Sequence, residues 1–215
     1  MNEATETRHR LIDVARRLFA ERGFDATSVR DITGEAKANL GAITYHFGSK
    51  QALYDAVLEQ AFAPVAARAR VALPEGIAPL DAVEQVVRGV FEEMASRPDL
   101  PQLILQQAVQ QNVLPEAARR SLGLLIERLA SLIRRGQRDG TVRPGDPLRM
   151  AISVMAQPAY FNLVRRFAPD LLAPAGEAAA VSEVADHLVD FVRAGLGGRK
   201  AKAGGRARGR SRRRI

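Results

Sequence analysis

The chain lacks cysteine and tryptophan, and its three histidines, His9, His46 and His187, are far apart. Without cysteine, neither a disulfide nor a thiolate metal site can form. The separated histidines provide no pair of metal ligands, and no glycine-rich phosphate loop occurs. We therefore assign no catalytic residue, metal site or cofactor, and the sequence argues against an enzyme.

Long apolar runs are also absent. No stretch of 18 apolar residues occurs, and the first residues lack the apolar core of a secretory signal. We therefore expect no membrane segment and a cytoplasmic location. Apolar residues nevertheless make up 47% of the 215 residues, enough for one small module and one larger domain with its own core.

One stretch, residues 28 to 50, organises the rest of the chain. Its apolar residues recur at helical spacing: Val29, Ile32, Ala36, Ile43 and Phe47. The pattern breaks near Lys37, where Asn39 is a suitable helix N-cap, and the second helix ends at Gly48. Two short helices joined by a turn of this kind are typical of a helix-turn-helix.

The outward positions of the second helix carry no carboxylate; they are Leu40, Gly41, Thr44, Tyr45 and His46. A short helix with small, aromatic and hydrogen-bonding side chains suits insertion into the major groove of DNA. The segment is therefore a candidate DNA-recognition element, and double-stranded DNA is the expected partner.

The motif resembles the N-terminal DNA-binding domain of TetR/AcrR-type transcriptional regulators. The resemblance is carried by Thr27–Ile32, by Asn39-x-Gly-x-x-x-Tyr-His-Phe-Gly-Ser-Lys50, and by the preceding Ala15–Phe24, within about residues 10 to 60. The turn departs from the family in having Lys37 where glycine is usual. If that position has a positive φ, lysine costs about 1 kcal/mol there.

The resemblance implies an all-α fold of about nine helices. A three-helix DNA-binding domain at 1–48 would precede a helical ligand-binding and dimerisation domain at 49–195. It also implies DNA-binding roles for the residues at the matching positions: base-edge contacts for Leu40, Gly41, Ala42 and Thr44, and phosphate contacts for Thr27, Ser28, Tyr45, His46 and Lys50. Arg30 and Asn39 complete the candidate DNA-binding set.

Some of these residues have a second interpretation. Leu40 follows Ala36 by four residues and precedes Ile43 by three, so it is equally consistent with a partly buried position. Tyr45 and His46 could be ordinary surface residues. The spacing places Ile43 and Phe47 in the core.

The rest of the chain has helical periodicity and no convincing strand. Residues 1 to 7 are polar and are expected to be disordered. Outside the helix-turn-helix, helices are predicted at about 7–22, 49–73 with a kink at Pro64, 79–97, 99–112, 115–140, 147–167 with an interruption at Pro158, and 177–194.

The larger domain contains polar or adaptable side chains among apolar ones. These residues form a candidate effector pocket: Met94, Gln106, Gln110, Met155, Gln157 and Tyr160. Alternatively, the glutamines face solvent and the methionines fill gaps in the core. The sequence does not identify the small molecule.

The last two predicted helices, at about 147–167 and 177–194, resemble the pair that forms a four-helix bundle between two TetR subunits. The residues expected on one side of that bundle are Val181, Val184, Leu188, Phe191 and Val192.

Positive charge is concentrated at the C-terminal end. The net charge is +8, but residues 196–215 contain nine bases and no acid, which leaves −1 for residues 1–195. This Gly- and Arg-rich segment is expected to be disordered. It could clamp DNA nonspecifically, keep the protein soluble or contact an acidic partner, and the first is favoured because the folded part points to DNA.

These features together predict a homodimeric DNA-binding transcriptional regulator, a repressor released from a palindromic operator by a small-molecule effector. The alternative is an architectural DNA-binding protein without an effector.

Overall fold

A computed structural model of the protein describes residues 3–97, 99–100, 103, 114, 116–172 and 180–198. Within these residues the chain forms a short 3-10 turn at Pro169–Leu171 and eight α-helices: α1 Glu3–Arg22, α2 Val29–Glu35, α3 Ala42–Phe47, α4 Lys50–Arg68, α5 Pro79–Ala95, α6 Glu116–Asp139, α7 Pro147–Phe167 and α8 Val181–Leu196. The predicted all-α fold is confirmed. Among the described helices, none is both long and apolar enough to cross a membrane.

The start of α1 and the end of α4 differ from the prediction. Helix α1 begins at Glu3 rather than near Thr7, and Glu3 and Glu6 in its first turn complement the positive end of the helix dipole. The expected disorder of residues 3–7 was therefore wrong. Helix α4 ends at Arg68, one turn after Pro64, which cannot donate a backbone hydrogen bond.

Two predicted segments cannot be compared in this way. The helix expected at about 99–112 lies mostly outside the described residues, as does the basic segment beyond Gly198.

The described residues divide into two compact units, the first drawn from 1–64 and 97–121 and the second from 65–96 and 122–215. Helices α4 and α6 each contribute to both.

The first unit has a core of leucine, isoleucine and aromatic side chains. Its fully buried members include Leu11, Leu18, Phe19, Ile32, Ile43 and Leu53. Phe19 of α1, Phe24 of the following loop and Tyr54 of α4 form an aromatic cluster with ring centroids 5.0–5.7 Å apart. Phe24 thus packs on this core as expected, whereas the role of Tyr54 had not been anticipated.

The second unit is built around α5, which packs against α7 and α8. Val87, Val90 and Phe91 of α5 are fully buried. The buried Asn162 of α7 donates hydrogen bonds to the carbonyls of Phe91, at 3.3 Å, and Pro158, at 2.9 Å. Its amide N–H groups are therefore satisfied inside the unit.

Part of the bundle face predicted on α8 lies inside the subunit instead. Val184, Leu188 and Val192 are buried within the subunit, where α8 packs on α5. Phe191 is 56% exposed and remains available to a partner. The spacing of apolar residues predicted one face, but these residues lie on two sides of the helix.

A backbone clasp fixes the C-terminal end of the described fold. The Arg143 N–H donates to Leu196 O and the Gly198 N–H to Thr141 O, both at 2.8 Å. A Cβ on Gly198 would lie 2.5 Å from the Gly140 carbonyl oxygen, so only glycine fits there. The clasp therefore holds Gly198, the last residue that the structure describes.

Burial of Tyr54 generates a prediction about stability at high pH. Burial raises the pKa of Tyr54 from 10.0 to about 12. The neutral phenol then contributes stability that is complete below pH 10 and is lost as the pH rises to 12, because the unfolded chain ionises first. Denaturant unfolding across pH 9–12 should show a smaller loss for Tyr54→Phe than for the wild type. Tyr45→Phe, at an exposed tyrosine, is the matched control, and identical profiles for all three proteins would contradict the assignment.

Candidate nucleic-acid interface

Helix α2 begins with a capping box. The Ser28 hydroxyl accepts from the Asp31 N–H at 3.1 Å, and the Asp31 carboxylate accepts from the Ser28 N–H at 2.8 Å and hydroxyl at 2.6 Å. Hydrogen bonds from the Ser28 side chain and backbone hold the pKa of Asp31 below its usual value. This box fixes the start of the helix that precedes the turn.

The adjacent Thr27 does not occupy the position expected for a phosphate contact. It is fully buried, and its hydroxyl donates to the carbonyls of Gly23, at 2.7 Å, and Leu18, at 3.3 Å. These bonds tie the loop to the end of α1. The structure therefore contradicts Thr27 as a DNA contact, whereas Ser28 and Arg30 are exposed.

The turn between α2 and α3 has the positive φ that its motif requires. Lys37 has φ 50°, and the next N–H, that of Ala38, donates to Thr33 O at 2.9 Å. Asn39 is not the helix N-cap: α3 begins at Ala42, and its N-cap is Gly41, which supplies no side-chain hydrogen bond. Asn39 remains exposed in the turn.

The two sides of α3 differ sharply in burial. Ile43 faces the core, whereas Thr44 is exposed and Tyr45 is 80% exposed. Leu40 precedes α3 and is 54% exposed, so it is not a core residue, although part of its side chain is covered. His46 is half-buried and packs edge-on against the Tyr45 ring at 4.8 Å between centroids.

Phe47 is less buried than predicted. It is half-buried, and the Arg8 guanidinium lies 5.1 Å from its ring centroid. Gly48 follows with φ 85° and closes α3 through its N–H to Thr44 O, as the sequence indicated. Phe47 therefore lies at the edge of the core, because α3 ends before another turn could cover it.

The start of α4 provides two further candidate groups. The Ser49 hydroxyl accepts from the Ala52 N–H at 3.0 Å, which confirms Ser49 as the N-cap. Lys50 is half-buried, with its ammonium 4.2 Å from the Phe24 ring centroid. The Lys50 ammonium thus makes a cation–π contact with Phe24.

A hollow of about 770 Å³ lies beside the recognition helix. It is bounded by Glu3, Thr7, Arg10, Lys37, Ala38, Asn39, Gly41, Ala42, Tyr45 and His46. The first turns of α1 were missed by sequence reasoning, which treated residues 1–7 as disordered. Two closely spaced arginines, Arg8 and Arg10, were the available signal.

Of the predicted effector residues, the four that the structure describes lie in different surroundings. Gln106 and Gln110 lie outside the described residues. Met94 and Met155 are buried, Gln157 lines a groove between α7 and α8, and Tyr160 is 63% exposed. Tyr160 therefore does not line an interior pocket in this structure.

Thr27 and Tyr45 should respond differently to substitution. Thr27→Val keeps the side-chain shape but removes the donor to two buried carbonyls, so it should cost about 1–3 kcal/mol of unfolding free energy. Tyr45→Ala should change stability by less than about 0.5 kcal/mol yet weaken DNA binding. Thermal melting and a mobility-shift titration measure the two effects. Equal destabilisation by both variants would make Tyr45 a structural residue.

Comparison with known proteins covers both parts of the chain. The sequence profile described as "Bacterial regulatory proteins, tetR family" matches residues 11–57, and that described as "Tetracyclin repressor-like, C-terminal domain" matches residues 79–192. The transcriptional regulator UidR of Escherichia coli is 26% identical over 169 residues, which is 79% of this chain and 86% of UidR. The repressor KstR2 of Rhodococcus jostii is 47% identical over 51 residues, which spans only 24% of this chain and 25% of KstR2.

Solved structures show the same fold. A tetR-family regulatory protein from Rhodococcus RHA1 aligns with a TM-score of 0.72 at 19% identity, covering 92% of this chain and 99% of that one. SmeT, the repressor of the Stenotrophomonas maltophilia multidrug efflux pump SmeDEF, aligns with a TM-score of 0.70 at 19% identity, covering 93% and 95%. With profile matches at residues 11–57 and 79–192, the chain belongs to the TetR family of DNA-binding transcriptional regulators.

Proposed function

We propose that the protein is a homodimeric, cytoplasmic repressor that binds a palindromic operator through α3 and leaves it when a small molecule binds. The observation that carries the proposal is the two-sided burial of α3. Ile43 anchors the helix to the core, while Thr44 and Tyr45 project from it with no acidic residue between Asn39 and Gly48. Such a surface can enter the major groove without repelling the phosphates.

Within that surface we assign two roles. Leu40, Gly41, Ala42 and Thr44 approach the base edges. Ser28, Arg30, Asn39, Tyr45, His46 and Lys50 surround them and contact the sugar-phosphate backbone. Contacts to the DNA backbone set the register, whereas contacts to base edges read the sequence. Substitution of the backbone-contacting residues should therefore weaken binding to all duplexes, and substitution of the base-contacting residues should weaken binding mainly to the operator.

Dimerisation is proposed through α7 and α8. Four large apolar side chains of α7 are about half exposed or more, and their spacing puts them on one face of the helix: Leu148, Ile152, Tyr160 and Phe167. Phe191 of α8 is also exposed. A second copy of the chain would remove these side chains from water.

The effector is proposed to bind near the same helices. A groove of about 400 Å³ between α7 and α8 combines apolar Met150, Val154 and Phe191 with polar Gln157 and the cation Arg149. Because Phe191 belongs to the proposed dimer face, a ligand in this groove would change how two subunits meet. A coupling of about 1–3 kcal/mol would alter operator affinity about 5–150-fold.

Selection of bound duplexes from a random pool tests the proposed repressor directly. A dimer should enrich an approximate palindrome whose half-site spacing matches the separation of its two α3 helices. Enrichment of no discrete motif would favour the architectural alternative, and an asymmetric motif would contradict the dimer.

Phe191 and Leu188 separate dimerisation from folding. Phe191→Glu should give a folded monomer at micromolar concentration, because an unpaired charge would be buried in the apolar interface. Leu188→Glu should instead unfold the subunit, since Leu188 is fully buried where α8 packs on α5. Light scattering and circular dichroism measure the two outcomes, with Ser182→Glu on the exposed side of α8 as the control. A dimeric Phe191→Glu variant would move the interface elsewhere.

The basic C-terminal segment is proposed to contact DNA without reading sequence. A stop after Gly198 removes all nine of its bases and leaves the clasp intact. Each lost phosphate contact should flatten the slope of log affinity against log salt by about 0.9. Operator and random duplexes should weaken by a similar factor. An unchanged slope would assign the segment to solubility or to another partner.

A further inference from the structure

Lys37 adopts a backbone conformation that lysine rarely occupies. Among the described residues it is the only non-glycine residue with a positive φ, at 50°. A Cβ is strained there and glycine is not, so a lysine at this point in a tight turn lowers stability. Strained residues of this kind cluster at binding sites, where the side chain contributes more than its strain costs.

The Lys37 side chain borders the hollow beside α3. Arg10 of α1 lines the same hollow, and Tyr45 and His46 lie on its α3 wall. The Lys37 side chain is exposed, and no hydrogen bond or ion pair joins it to the part of the chain that the structure describes. Its ammonium is therefore available to a ligand.

Arg10 is only weakly engaged. Its guanidinium donates to the Thr7 hydroxyl at 3.2 Å and lies 3.8 Å from the exposed Glu6 carboxylate. Exposed pairs of this kind contribute little. The hollow thus has two cations at its rim, opposed by one acidic neighbour in its lining, Glu3.

We propose that this hollow receives the DNA backbone beside the major groove entered by α3, with Lys37 and Arg10 contacting its phosphates. The proposal rests on DNA recognition through α3. A phosphodiester strand is the occupant because the hollow is open, borders α3 and has two cations, Lys37 and Arg10, at its rim. Lysine at position 37 strains the turn, but unlike glycine it places an ammonium at the rim of the hollow. Its contact with a phosphate would offset that strain.

Three substitutions at one position separate charge from strain. Lys37→Gly removes both, Lys37→Ala removes the charge and keeps the strain, and Lys37→Arg keeps both. Full-length proteins are titrated with a 30-base-pair duplex of mixed sequence at several salt concentrations and are melted in parallel. Arg119→Ala, which removes an exposed charge on α6, controls for net charge.

The glycine and alanine variants should lose affinity equally. Their salt slopes should fall by about 0.9 for each contacting subunit, and the arginine variant and Arg119→Ala should retain the wild-type slope. Only Lys37→Gly should melt higher, by about 2–4 °C. Glu3→Gln should bind the same duplex more tightly than the wild type, because it removes the opposing carboxylate.

Two outcomes would overturn the inference while wild-type binding remains intact. An unchanged slope in both Lys37→Gly and Lys37→Ala would mean that the ammonium touches no phosphate. A loss confined to Lys37→Gly would mean that turn geometry, and not charge, matters. Failure of the wild type itself to bind the duplex would instead count against DNA recognition through α3.

Discussion

The packing of Ile43 against the small core is the interaction on which the proposed DNA-reading surface depends. Helix α3 has only six residues, far too few to be stable by itself in water. Its position is therefore set by the core of the first unit, in which Ile43 is buried together with Leu11, Leu18, Ile32 and Leu53. Because Ile43 is the one fully buried side chain of α3, the opposite side of the helix stays exposed.

An aromatic cluster also stabilises this small core. Phe19, Phe24 and Tyr54 bring α1, the following loop and α4 together. Thr27 closes the same loop through its two carbonyl contacts, and Ser28 then caps α2. Two neighbouring hydroxyl residues thus have different tasks, one inside the fold and one at its surface.

Much of the fold could be predicted from the sequence, because helical periodicity and end signals are local. Gly23, Gly48 and Ser49 ended or began helices at the expected positions. Burial was harder to predict, because it depends on which neighbour covers a side chain. Leu188 and Phe191 both suit an apolar face, yet α5 covers only Leu188.

The candidate site shows the same limit. The motif located α3 and its outward residues, and Leu40, Thr44 and Tyr45 are exposed as DNA contacts must be. It also assigned Thr27 to DNA, since a motif records residue type but not the direction of a hydroxyl. The hollow with Arg10 and Lys37 arises from segments distant in sequence, so no local pattern could show it.

Amide hydrogen exchange on the full chain, free and bound to a selected DNA site, tests the position of the interface most directly. DNA should slow exchange in the turn and helix at residues 37–48 and in the first turns of α1 and α4. The apolar helices α7 and α8 should show no comparable direct protection. Protection concentrated on α7 and α8, with residues 37–48 unchanged, would contradict recognition through α3.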